Sequence, residues 1–114
     1  MIAVIFEVTP TKEGKQEYLD IAAGLREHLT QMPGFVSIER FQSLTEPEKL
    51  LSLSFWDDED SVRKWRTLEE HRMAQSKGRH QLFKNYRIRV CQVKRDYTKD
   101  SRQEAPDDSN TLFS

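Results

Sequence analysis

Met1-Ile-Ala-Val-Ile-Phe-Glu-Val8 opens the chain, and the reading of its two faces decides the fold. Alternation places Ile2, Val4, Phe6 and Val8 on one side and Ala3, Ile5 and Glu7 on the other. β-Branched and aromatic residues favour the extended backbone. Both sides are largely apolar, so the segment predicts a central strand covered from two directions. Thr9-Pro10-Thr11 ends it. Thr11 is the candidate N-cap of a helix carrying Leu19, Ala22, Leu25 and Leu29 at helical spacing. Tyr18, Ile21 and Met32 widen that stripe. Pro33-Gly34 stops the helix after about 20 residues.

Further along, Phe35 to Leu44 predicts a second strand, Thr45-Glu-Pro-Glu48 a turn, and Lys49 to Trp56 a third strand. The two form a hairpin. Asp57-Asp-Glu-Asp60 starts the next helix, where carboxylates suit the free N–H groups and the positive dipole end. Val62 and Trp65 face inward from it. A break is expected at Thr67, then a second helix from Leu68 to Phe83, and a final strand from Tyr86 to Tyr97. Strand, helix, strand, strand, helix, strand is the ferredoxin-like α+β sandwich, with a four-stranded antiparallel sheet and both helices on one face. The opposite face is bare in one subunit. The apolar Ala3 and Ile5 on it predict a homodimer packed sheet to sheet. Ser37, Glu39, Ser52 and Ser54 are the positions that fit a wetted monomer instead.

The length of 114 residues suits one domain. Thr98 to Ser114 holds two basic and four acidic residues and few apolar ones, so the domain is assigned to 1–97 and the tail 98–114 is expected to be disordered or loosely docked. The chain is 36% hydrophobic and 32% charged, with a mean hydropathy of −0.79. Its longest apolar run, Met1 to Phe6, is far short of the roughly 20 residues that a membrane span needs. It also lacks the basic start of a signal peptide. A net charge of −1 provides no field for nucleic acid, although Arg87, Arg89 and Arg95 alternate along the last strand. One cysteine, Cys91, makes no internal disulfide and reads as a buried, inert thiol. A reducing cytoplasm is the expected compartment. No glycine-rich phosphate loop occurs, and His28, His71 and His80 lack metal-ligand spacing. No cofactor and no metal are expected.

The helix after Trp65 holds the candidate chemistry. At about 100° per residue, Leu68, Gln75, Arg79 and Leu82 fall together, flanked by His71, Arg72 and Phe83. Glu69, Glu70, Lys77 and His80 fall on the outer side. One reading is a pocket wall with donors for an anionic or carbonyl-bearing ligand. The other is that the arginines snorkel past the core to carboxylates such as Glu69. His71 is the side chain that titrates nearest neutrality. Trp56 and Trp65 either pack or line an aromatic cavity.

The string from Ser54-Phe-Trp-Asp-Asp-Glu-Asp-Ser-Val-Arg-Lys-Trp65 through Glu70-His71-Arg-Met-Ala-Gln75 to Gly78-Arg79 resembles the antibiotic biosynthesis monooxygenase family. The opening strand, the Pro33-Gly34-Phe35 turn and the closing Tyr86 to Tyr97 support the resemblance over residues 1–97. It implies a dimeric α+β barrel with a pocket between sheet and helices. It also implies oxidation of a small aromatic, polyketide-type phenol or quinol by O₂ without flavin or metal. In that reading His71 is the base, Arg72 or Arg79 steadies the phenolate, and Glu7, Trp56, Trp65, Gln75 and Phe83 line the substrate cavity. Haem-degrading relatives use an Asn on the first strand with a Trp and a His on the helix. Trp65 matches the Trp, whereas Glu7 and Gln75 stand at the other two positions, which argues against haem. A non-catalytic small-molecule binder or stress-associated dimer is the alternative from a different class.

Overall fold

The structure, a computed structural model, describes residues 1–74 and 82–113. Strand β1 (Ile2–Pro10) is followed by helix α1 (Lys15–Leu29), strands β2 (Phe35–Gln42) and β3 (Leu50–Trp56), helix α2 (Glu59–Ala74), strand β4 (Phe83–Gln92) and a short helix α3 (Asp107–Phe113). The sheet order is β2-β3-β1-β4. β1 is therefore internal, antiparallel to β3 through Ile2↔Trp56 and Val8↔Leu50 and to β4 through Ile2↔Gln92. This is the expected ferredoxin-like α+β arrangement. The β1–β4 register shifts at Thr9/Pro10, where proline has no N–H to give the ladder.

The register sorts every strand residue to a face. Ile2, Val4, Phe6 and Val8 lie under the helices with Trp56, Ser54, Ser52 and Leu50 of β3. An irregularity between Phe35 and Ser37 gives β2 one extra residue. Phe35 and Ile38, three apart, thus both reach the core, while Val36 is left exposed. Leu25 and Leu29 of α1 and Val62 and Trp65 of α2 close on Ile2 and Trp56 to form that core. The opposite face carries Ala3, Ile5 and Glu7 beside Leu51, Leu53 and Phe55, and Arg87, Arg89 and Cys91. Both described long helices pack away from it.

Helix boundaries differ from the sequence expectation in three places, each for a local reason. α1 begins after Gly14, because Thr11 Oγ1 accepts the Gly14 N–H at 2.9 Å in a turn ahead of the helix. Its last turn tightens, with Met32 N–H donating to the Leu29 carbonyl at 3.1 Å. α2 is capped by Asp58, whose Oδ1 accepts the Ser61 N–H at 2.8 Å. That bond holds the Asp58 carboxyl below its usual range. The break expected at Thr67 is absent. The Thr67 hydroxyl donates to the Arg63 carbonyl one turn back at 2.9 Å, and α2 continues through it. β4 begins at Phe83 and stops at Gln92, opposite Ile2 where its antiparallel partner β1 begins. Beyond it, Arg102 gathers the tail: its guanidinium donates to Ser109 Oγ at 2.7 Å and Asn110 Oδ1 at 3.2 Å, and sits 5.0 Å over the Tyr97 ring.

The turn between α1 and β2 needs Gly34, whose φ is +82°. A Cβ there would also sit 2.8 Å from the Ser61 Cβ. Gly34→Ala therefore combines left-handed strain with overpacking and is expected to cost about 3 kcal/mol. A urea unfolding midpoint unchanged from wild type would contradict this.

Candidate functional site

The tryptophans set the phase of α2. Trp56 is fully buried, its Nε1–H donates to Ser54 Oγ at 2.9 Å, and its ring stacks on Trp65 at 6.1 Å. Phe35 meets it edge-on at 5.4 Å. Ser54 lies two residues before Trp56 on the same strand face and is buried because it satisfies the indole. Trp56 and Trp65, expected as packing or as cavity lining, are joined in the core cluster.

With Trp65 inward, the rest of α2 follows at about 100° per residue. Glu69, one turn after Trp65 and two after Val62, comes round to the same side. It is half-buried, although its sequence position had suggested the outer arc. His71 points well away and is exposed. Arg72 returns toward the Trp65 side near the end of α2 and is also exposed. Gln75 and Arg79 lie outside the described residues. Glu7 belongs to the opposite face of the sheet from Trp56 and Trp65, since it is odd-numbered on β1. Its carboxylate pairs there with Lys49 at 3.5 Å and Arg89 at 3.7 Å. Glu7 and Trp65 therefore do not meet.

Three residues that the sequence reading did not mark as site residues converge on the helix side. Tyr18 of α1 is 2% exposed. Arg40 of β2 shares a cross-strand row with Ser52 and Phe6. Burial pushes the Tyr18 phenol up, and the Arg40 guanidinium, hydrogen-bonding to it, pulls it partly back. The Glu69 carboxyl rises to about 7, again chiefly through burial, against the attraction of Arg40. A carboxyl with that affinity holds or releases a proton near neutral pH. The Tyr18 ring continues into an aromatic group, 5.3 Å from Phe83, which lies 6.2 Å from Phe6 and 5.9 Å from Tyr86. Of the expected lining residues that are described, Phe83 stands beside this cluster. The arrangement offers a proton acceptor, a cation and a phenol against an apolar wall. The missed signals were a tyrosine on the leucine stripe of α1 and the one-turn spacing of Glu69 from Trp65. Among the described residues no group of three His, Cys, Asp or Glu is placed to hold a metal ion. No described helix is long and apolar enough to cross a membrane.

The raised Glu69 carboxyl has a consequence for stability. Unfolding restores an ordinary value near 4.5. Between pH 4.5 and about 7 the folded chain binds more protons than the unfolded one, so stability falls as pH rises through that window and then levels. Glu69→Gln is expected to remove this slope, matching wild type at pH 4.5 and exceeding it by roughly 1–3 kcal/mol at pH 8. Equal pH slopes in urea melts of the two proteins would contradict the assignment.

Residues 1–77 match the family described as antibiotic biosynthesis monooxygenase. A protein of Pyricularia oryzae named jasmonate monooxygenase is 47% identical over 93 residues, covering 82% of this chain and 43% of its own length. The chain thus spans under half of that relative. An uncharacterised Bacillus subtilis protein, YqjZ, is 32% identical over 94 residues, 82% of this chain and 79% of its own. A conserved protein from Methanosarcina mazei, solved as a crystal structure, superposes with a TM-score of 0.68 at 23% identity, over 82% of this chain and 92% of its own. The sheet order, the helix-covered face and the residue match agree, and the chain belongs to the antibiotic biosynthesis monooxygenase family.

Proposed function

We propose that the protein is a monooxygenase that oxidises a small aromatic phenol or quinol with O₂ and without a bound cofactor, and that Glu69 takes the substrate proton while Arg40 steadies the oxyanion. The observation that carries this is the half-buried Glu69 carboxyl, poised at about 7 and facing Arg40 and Tyr18. Removing a proton makes the ring electron-rich enough to reduce O₂ itself. For an anthrone-type CH₂, the carbanion adds O₂, the peroxide takes a proton, and loss of water leaves the ketone. One oxygen atom enters the product and the other leaves as water. The base and cation are required at the first step. Phe6, Phe83 and Tyr86, packed edge to face, provide an apolar aromatic wall for the body of an aromatic substrate. The relative named for jasmonate supports a small organic substrate. The roles first read for His71 and Arg72 pass in this reading to Glu69 and Arg40, and a His71 variant separates the two.

Oxygen uptake with anthrone and naphthoquinol tests it. Glu69→Gln is expected to lower kcat by about 10²–10⁴-fold, with His71→Ala within a few-fold of wild type. The wild-type rate should rise with pH through about 7 as Glu69 ionises. Full turnover by Glu69→Gln, or loss confined to His71→Ala, returns the base to His71. No uptake with any phenol or quinol leaves a binding protein.

The uncovered sheet face belongs to the same proposal. Ile5, Leu51, Leu53 and Phe55 are only half-buried there, and a second subunit packed sheet to sheet would cover them. Sedimentation velocity at micromolar concentration is expected to give a dimer, and Leu53→Glu a monomer. A monomeric wild type removes this part.

A further inference from the structure

A cavity of about 350 Å³ opens between α1 and β2, lined by Ala22, Arg26, Leu29, Ile38, Glu39 and Arg40. It shares Arg40 with the Tyr18–Glu69 cluster. We propose that this cavity binds a small organic monoanion, its carboxylate between Arg26 and Arg40 and its hydrocarbon body on Ala22, Leu29 and Ile38. This names an anionic substrate class, and it rests on the monooxygenase reading only in holding that the occupant is turned over.

Three features of the lining support that occupant. The volume falls in the range of small-ligand sites, which pair an apolar body with a few placed polar groups. On α1, Ala22, Arg26 and Leu29 stand at i, i+4 and i+7 and so share one face. Ala22 is the small residue that leaves room opposite Ile38. The charges also select. Among the described residues two guanidinium groups, of Arg26 and Arg40, line the cavity, while the Glu39 side chain falls with Leu53 on the opposite sheet face. One carboxylate pairs with the two guanidinium groups, a second at the far end of the body would lose its water against Leu29 and Ile38, and a cation is repelled. Guanidinium forks match a carboxylate in geometry as well as charge.

Sharing Arg40 links this cavity to Glu69. Among the described residues the groups acting on Glu69 are Arg40 from β2, which favours its charged form, Glu70 from its own helix, which opposes it, and the Tyr18 phenol from α1. An anion on Arg40 weakens the attraction that keeps Glu69 ionised, so a bound anion favours protonated Glu69. Reciprocally, the anion binds more tightly as pH falls through about 7.

Calorimetry and amide NMR on the full chain test this with octanoate, octanol, octylamine and suberate. Octanoate is expected to bind at least about ten-fold more tightly than the other three, which is the scale of a charged hydrogen bond. Its shifts should centre on Ala22, Leu29 and Ile38. Arg26→Gln should weaken octanoate about ten-fold or more. Glu69→Gln should hold the affinity at its low-pH value throughout. Octanol equal to octanoate, shifts centred elsewhere, or an unaffected Arg26→Gln overturns the proposal. Octanoate binding with these signatures in a protein that consumes no O₂ keeps the anion site and ends the monooxygenase reading. Oxygen uptake without octanoate binding does the reverse.

Discussion

The contact between Trp56 and Trp65 is the constraint from which the site follows. A fully buried indole needs a partner for its N–H, and Ser54 supplies it from the same strand face. That bond ties the parity of β3 to the core. The stacked Trp65 then sets the rotation of α2, and rotation decides which polar side chain enters the helix–sheet layer. One turn beyond Trp65 it is Glu69. A change in either indole would therefore reach Glu69 without touching it.

The second constraint is electrostatic. Glu69 sits where loss of water opposes its charge and Arg40 favours it, and the loss of water is the larger. An isolated buried carboxylate would cost far more than the core could offset, so the group stays protonated to near neutrality instead. Tyr18 behaves alike: burial raises its phenol and Arg40 moderates it. One arginine on β2 thus conditions two titrating groups contributed by two helices, and also borders the neighbouring cavity. The chemistry of the site is concentrated on a residue with no distinctive sequence neighbourhood.

Much of the fold was legible because it depends on short-range pattern. The two-faced Met1–Val8 segment, the leucine stripe of α1, the Pro33-Gly34 stop and the acidic start of α2 each appear near where the chain placed them. Errors fell at boundaries set by single hydrogen bonds, such as Thr11 with Gly14 and Thr67 with Arg63. The candidate site was less legible. The Trp-to-His string points to α2, and the leucines beyond Trp65 suggest a phase that the helix does not have. Counted from Val62 and Trp65, Glu69 turns in and His71 turns out. Glu7 lay on the right strand and the wrong face for meeting Trp65.

The sequence by itself determined the order of elements from β1 to β4, the internal position of β1 and the kinship with the monooxygenase family. These depend on periodicity and local residue type, which a linear chain displays. Only the tertiary structure decided that Tyr18, Arg40 and Glu69 belong together. They come from α1, β2 and α2, far apart along the chain, and no local spacing relates them. Their meeting depends on a strand irregularity after Phe35 and a helix rotation set by packed indoles. Their altered proton affinities depend on burial, which exists only once the layers close.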